Sequence, residues 1–563
     1  MDRRAVGAIV LMMAIAMLPA VFFRKPPQRP LVRDTGQVTA TAPAAVAAAT
    51  ASAAAGAPAA AAIQDSSSAV PARTVRVTSP LYRYGITTRG ARLVEATLMD
   101  YRSMFPGDSG RPAELLPSSS DLLGLRLVAG RDTVSLGDWD FIPSSDSLAA
   151  SVETPLTMTA TRGGVTVALR YRFQPETYVV SVDGQVDGLG PNGGTLVIGM
   201  GPGLRNTEVD SVEHMRNLGV VTMSDQTRRT NFSSLKTDVA TDLSGPFDWV
   251  AIKSKYFVTA VFAVDTTPGG VVGRLGGVRA VATDRRKQPA EADVYASLPI
   301  AASGAFHFTL FAGPMDYPRL RAMGHEFYDV NPYGWPGFRS IIRPVSLAAR
   351  WLLVKLHDLG IAYGLGLIIF GIGIRLALWP LNQKAMRASM QMQAIQPLLK
   401  DLQDRHKDDP PRLQQEMFKL YKEYKVNPFG GCWPMLLPMP ILFALFFVFQ
   451  NTIELRGASF LWLPDLSRAD PLYIIPVAMG LSMYVVSKVG QIGMAPNPQM
   501  KMMLYLMPVM MTVMFLKFAS GLNLYYAVQN LASVPQQWLL AKERLKANPP
   551  KPALAAKAPP KKK

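Results

Sequence analysis

The chain has 563 residues, 49% of them hydrophobic, a mean hydropathy of only +0.13 and a formal net charge of +18 at pH 7. The apolar residues are gathered in long blocks, which excludes both a purely soluble globular protein and a disordered one and leaves a membrane protein with a large water-exposed part. A single cysteine, Cys432, excludes an intrachain disulfide, and the absence of a GxxxxGK[ST] string gives no ground for a P-loop.

The first apolar block, 5–23, follows Arg3 and Arg4 and exceeds the roughly 7 to 15 residues of a signal-peptide core. No small-x-small site follows Phe23 directly, so residues 1–24 read as an uncleaved transmembrane anchor. Residues 25–72, rich in Ala and Pro, hold too few large apolar side chains to build a core and read as a disordered tether. From 73 to about 320 the pattern becomes short runs of period two, such as 74–77, 165–171 and 178–182, punctuated by Gly and Pro. That predicts an all-β domain of sandwich type. His214 and His307 are isolated in it, and no His/Asp/Glu group has metal spacing, so no metal, cofactor or catalytic site is expected there.

Residues 337–357 carry two stripes. Arg339, Arg343, Arg350 and His357 recur at helical spacing, and Ile341, Val345, Ala348, Leu352 and Leu356 fall on another face. An amphipathic helix lying on the membrane surface fits both. Five further apolar blocks follow, at 359–379, 434–450, 472–486, 502–516 and 522–540. With the first they approach the roughly 17 to 25 residues of a membrane-spanning helix, the shorter ones borrowing flanking residues. Residues 358–541 thus read as a polytopic all-α core.

Between the first two of these five blocks, 382–426 is helical by period and basic. Met386, Met390, Ile395, Leu399 and Leu402 precede a break at Asp408-Asp409-Pro410-Pro411, and Leu413, Met417, Leu420 and Tyr424 follow it. This hairpin and the basic tail, 542–563, carry the cationic excess, whereas 452–471 sets only Arg456 and Arg468 against Glu454, Asp465 and Asp470. The positive-inside rule therefore places both termini and the hairpin in the cytosol and the β domain outside it. A polyanion such as ribosomal RNA and plain solvation are both open uses of the basic surfaces.

Arg375 stands inside the 359–379 block. A cation in hydrocarbon costs roughly 2.5 to 3.5 kcal/mol on insertion scales and normally faces a partner or a water-filled cavity. It lies about one turn from Trp379-Pro380, so snorkelling to the headgroups is the alternative. Gln450, Ser482, Tyr484, Asn523, Tyr526, Gln529 and Asn530 are the further polar residues of the later blocks, able either to wet such a cavity or to join helices by hydrogen bonds. The interiors of these blocks contain no Asp, Glu or His, which argues against an ion-coupled transporter.

Several strings in this half resemble one family. They are IRLALWPL (374–381), KVNPFGGCWP (425–434), PMPI (438–441), ELR (454–456), Trp462, DLS (465–467), Asp470-Pro471, Met479-Gly480 and SGLNLYY (520–526), with FAGP (311–314) closing the β domain. Together, in this order, the chain resembles the YidC/Oxa/Alb membrane protein insertases, in their bacterial form with a large periplasmic domain. The resemblance implies a five-helix insertase core around a hydrophilic groove, Arg375 as the groove arginine, and a β-supersandwich periplasmic domain. It further implies an inner-membrane location, nascent membrane proteins as clients, and the ribosome, the Sec translocon and the phospholipid bilayer as partners. Lys517 and Ala519 depart from the family, which usually shows an aromatic or apolar residue and a proline there.

Overall fold

The computed structural model describes residues 71–263, 273–286, 288–334, 337–406, 409–424, 426, 439–493 and 498–546. The anticipated anchor, nearly all of the tether, the Gly-rich string at 427–434 and most of the basic tail lie outside the described residues.

Alternation shapes the first half. In strand Thr74–Thr78 every second side chain is buried, and Val165–Phe173 buries Val167, Leu169, Tyr171 and Phe173. The strands form sheets of five, nine and six members. The nine-stranded sheet is antiparallel throughout, with Val179–Asp187, Ala305–Pro314 and Phe257–Ala263 adjacent at its centre. One buried cluster draws side chains from all three sheets. Three of its tyrosines place their hydroxyls on backbone carbonyls: Tyr84 Oη donates to Ala312 O at 2.6 Å, Tyr171 Oη to Ala91 O at 2.9 Å and Tyr82 Oη to Gln174 O at 3.0 Å, and the rings of Tyr82 and Tyr84 stack at 4.0 Å. A short helix, α1 (Ser211–Asn217), begins at Asp210, whose Oδ1 accepts from the amides of Val212 and Glu213, both at 2.9 Å. It buries His214, whose Nε2 lies 3.1 Å from the Leu204 carbonyl.

After α2 (Tyr317–Ala322) the chain enters α3 (Arg339–Asp358). The protein-facing stripe of α3 is Ile342, Ser346, Ala349, Arg350 and Leu353, while Ile341 and Trp351 are exposed. Of the apolar stripe, Ile341 and Ala348 are exposed, Val345, Leu352 and Leu356 are half-buried with Leu352 packed on the helical core, and Arg350 does not belong to an outer cationic stripe. It turns inward because two carboxylates, Glu454 and Asp316, wait there. The remaining helices are α4 (Tyr363–Ala377), α5 (Trp379–Ala394), α6 (Gln396–Arg405), α7 (Pro410–Glu423), α8 (Met439–Asn451), α9 (Ile474–Gly490), α10 (Pro498–Phe515) and α11 (Ser520–Lys546). The start of α7 is fixed by Asp409, whose Oδ1 accepts from the Arg412 amide at 3.1 Å, and by proline in the first turn.

Among the described residues no helix is long and apolar enough to cross a membrane. The apolar blocks and the helices do not coincide. Leu359 caps α3, Gly360 takes φ +84°, and α4 keeps only 15 residues of its block, about 22 Å at 1.5 Å per residue. The 17 residues of α9 are short by the same measure, and the 18 of α10 include Lys501.

The ELR string joins the two halves. Ile453 enters the β core, and Leu455, fully buried, enters the helical core. Between them Glu454 takes a hydrogen bond from Arg350 Nη2, which also lies 3.5 Å from Asp316 Oδ1. Arg456 reaches back to the β domain, donating to Glu208 Oε1 at 2.9 Å, Arg102 O at 2.8 Å and Thr207 O at 3.0 Å. Nearby, Asn451 Nδ2 donates to Pro332 O at 3.0 Å, and the buried Lys253 Nζ donates to Asn331 Oδ1 at 2.6 Å. The chain leaving α8 is therefore held by the β domain and by α3 together.

Candidate functional site

The last turn of α4 carries Arg375, and Leu378 ends that helix with its N–H on Ile374 O and Leu376 O. A cation is favoured at a helix C-terminus, where unsatisfied carbonyls gather. Its guanidinium points to α11: Nη2 donates to Gln536 Oε1 at 2.9 Å, and Gln536 Nε2 in turn donates to the Trp379 carbonyl at 3.0 Å. Gln536 is 1% exposed, and Arg375 Nε is buried with no hydrogen-bond partner. Among the described residues no carboxylate pairs with Arg375, so its charge is hydrogen-bonded but not neutralised.

The other candidates divide. Ser482 on α9 and Asn530 on α11 meet directly, Asn530 Nδ2 donating to Ser482 Oγ at 3.0 Å, and Ser482 Oγ donates to Met479 O at 2.6 Å. Ser533 closes this group by donating to Asn530 O at 2.6 Å. Gln529 donates to Tyr525 Oη at 2.8 Å on its own helix. Asn523 is fully buried and ties the start of α11 to Phe515 O at 3.0 Å, its Oδ1 having no partner. Tyr526 packs edge-on against Phe515 at 5.7 Å. Tyr484 faces α10 instead, its ring 5.8 Å from that of Tyr505 and beneath Lys488 Nζ at 5.7 Å. Gln450, half-buried on α8, joins none of these bonds.

Helix α11 is thus the shared wall, with Arg375 on one flank and Ser482 on the other. Its close fit starts at Gly521, where a Cβ would lie 2.4 Å from Phe449 Cε1, and Gly480 of α9 likewise meets Thr512 of α10. The turn with Lys517 and Ala519 leaves Lys517 exposed, while Ser520 N and Gly521 N donate to Arg468 O at 2.6 Å and Leu466 O at 2.9 Å. The turn is therefore anchored by backbone bonds to the 465–468 loop without the usual proline. Reading the sequence for polar residues missed Ser533 and Gln536. The available signal was spacing, since Tyr526, Gln529, Ser533 and Gln536 recur every three or four residues on one face of α11. Among the described residues no group of His, Cys, Asp and Glu could hold a metal ion.

Residues 74–345 match the YidC periplasmic domain, and residues 355–548 match the 60Kd inner membrane protein family. A Membrane protein insertase YidC of Chlorobium phaeovibrioides is 31% identical over 596 residues, covering 100% of this chain and 99% of that protein. The chain belongs to the YidC family. A second relative of the same name, from Nitratidesulfovibrio vulgaris strain Miyazaki F, is 34% identical over 489 residues, 84% of this chain and 86% of its own length. The boundary between the two matched regions falls inside α3, the helix whose Arg350 meets both Asp316 of the periplasmic domain and Glu454 of the helical half. Proteins of this family are named for insertion and not for a catalysed chemical conversion.

Proposed function

We propose that this protein inserts and helps fold nascent membrane proteins in the bacterial inner membrane. In this reading the all-α core is polytopic, both termini and the helical hairpin are cytosolic, and the β domain is periplasmic. Arg375 lines a hydrophilic groove, with Gln450, Ser482, Tyr484, Asn523, Tyr526, Gln529 and Asn530 as the further groove and client-binding residues. The observation that carries the reading is a half-buried cation in the last turn of an apolar helix, whose described partner is a neutral amide.

A cation so placed attracts the acidic outer segment of a client, and the attraction strengthens as the effective dielectric falls below that of water. Hydration and hydrogen bonding inside the groove lower the cost of taking polar backbone and side chains partway through hydrocarbon. The client's apolar helix then leaves sideways into lipid, driven by its own burial. No step of this sequence needs nucleotide hydrolysis. Clients arrive from the ribosome, aided by the basic hairpin and tail, and the protein works alone or with the Sec translocon.

The test is reconstitution of the purified full chain into liposomes, with client insertion read by protease protection in the absence of Sec proteins and nucleotide. Protection well above protein-free liposomes is expected. Equality with protein-free liposomes would refute the proposal.

A further inference from the structure

We propose that Gln536 is the positioning residue for Arg375, holding the guanidinium charged and correctly placed while leaving it free to pair with an anionic client. The inference rests on the groove reading of Arg375.

Both ends of the Gln536 amide are used, and each end has one possible role. Oε1 accepts from Arg375 Nη2 at 2.9 Å, and Nε2 donates to Trp379 O at 3.0 Å. A guanidinium has donors only and a carbonyl only accepts, so the reversed amide would set NH2 against N–H and oxygen against oxygen. The orientation is therefore fixed by chemistry. The two partners flank the break at Leu378, one in the last turn of α4 and the other at the first residue of α5. One side chain from α11, 161 residues away from Arg375 and 157 from Trp379, thus ties the arginine and the start of the next helix to the same wall.

No other residue type at 536 would do all of this. An apolar side chain would strand the Nη2 donor and remove the bond to Trp379. Glutamate would place an oxygen against the Trp379 carbonyl and neutralise Arg375 in a site that is 1% exposed at position 536, where an ion pair is screened little. Glutamine satisfies the cation without neutralising it. The uncompensated charge of the half-buried guanidinium remains available to a client carboxylate.

The experiment uses two clients that differ only in whether the outer segment is acidic or neutral, inserted by full-length protein in liposomes at matched protein levels. The readout is the acidic-to-neutral insertion ratio for wild type, Gln536→Glu, Gln536→Met, Arg375→Ala and the Arg375→Ala/Gln536→Glu double variant. Gln536→Glu should lower the ratio about fivefold, corresponding to about 1 kcal/mol of coupling, and should lower it no further in the Arg375→Ala background. Gln536→Met keeps the length of the side chain and adds no charge, so it should lower the ratio by a smaller factor, about twofold. If Arg375→Ala lowers the ratio but neither Gln536 variant does, the positioning role is overturned and the groove arginine stands. An unchanged ratio in Arg375→Ala overturns both.

Discussion

Replacing Arg350 by methionine probes the joint between the two halves of the chain. The Arg350 side chain is 10% exposed and lies against Glu454 and Asp316, themselves 23% and 20% exposed. Burial pushes both carboxyls above their usual range, and the Arg350 guanidinium opposes that rise. Arg350→Met removes the opposing charge and leaves Glu454 ionised in a poorly solvated site at neutral pH. Removing one partner of a buried pair costs about 3 to 5 kcal/mol, and partial exposure of the carboxylates sets the expectation near 3 kcal/mol. Asp316 retains Arg319 at 3.4 Å, so Glu454 bears most of the loss. The double variant Arg350→Met/Glu454→Leu strands neither charge, and its deficit should be about 1 kcal/mol or less.

Thermal unfolding in detergent, followed by intrinsic fluorescence, reads the difference. At about 2 to 4 °C per kcal/mol, the single variant should melt about 6 to 12 °C below wild type and the double variant close to it. The pH dependence has a definite sign. With Arg350 gone, the folded-state pKa of Glu454 rises further above its unfolded value. The stability tied to its proton is fully present below the unfolded pKa and lost as pH rises through the folded one. The single variant should therefore recover on acidification. Equal deficits in the single and double variants, without recovery in acid, would refute the argument that a stranded carboxylate is the cause.

Two further outcomes follow from the same kind of accounting. Burial pushes the His214 imidazole down from 6.5 to about 4, so its neutral form is favoured in the fold. Stability is then present above about pH 6.5 and lost as pH falls toward 4, by about 3 kcal/mol. His214→Gln should flatten the pH dependence of melting in that window, and an unchanged slope would contradict the assignment. At the contact of α9 and α10, a Cβ at Gly480 would lie 1.9 Å from Thr512 Oγ1, which is held at 2.8 Å from Pro508 O. Gly480→Ala should cost about 1 to 3 kcal/mol. Adding Thr512→Ala should restore most of the loss in melting temperature, and no restoration would rule out the close contact as its source.

What was legible in the sequence was local. Alternation at 165–171 located a strand because one face of a sheet must be apolar, and the break read in the apolar period ahead of Leu413 fell where α7 begins, at Asp409 and the prolines of its first turn. What was not legible depended on distant partners. Arg350 shares helical spacing with Arg339 and Arg343, and nothing local distinguishes it, yet Glu454, 104 residues later, draws it inward. The ELR string was visible only as a string, since the role of Arg456 rests on Glu208, 248 residues earlier. Gln536 was passed over for the same reason, while Arg375 bonds to Gln536 and to none of the polar residues singled out in the sequence. Apolar block length likewise did not give helix length, because Gly360 and the break at Leu378 trim α4 from both ends.

The central claim is that the positive charge of Arg375 acts on the client. Its most direct measurement compares Arg375→Lys with Arg375→Ala at equal protein levels, scoring insertion of a client with an acidic outer segment beside its neutral counterpart. Charge at that position should suffice, so lysine should keep most of the acidic-client insertion, and alanine should lose it by about fivefold relative to the neutral client. Loss of both clients alike in Arg375→Ala, or of neither, would contradict the claim and return Arg375 to the role of a membrane-surface anchor.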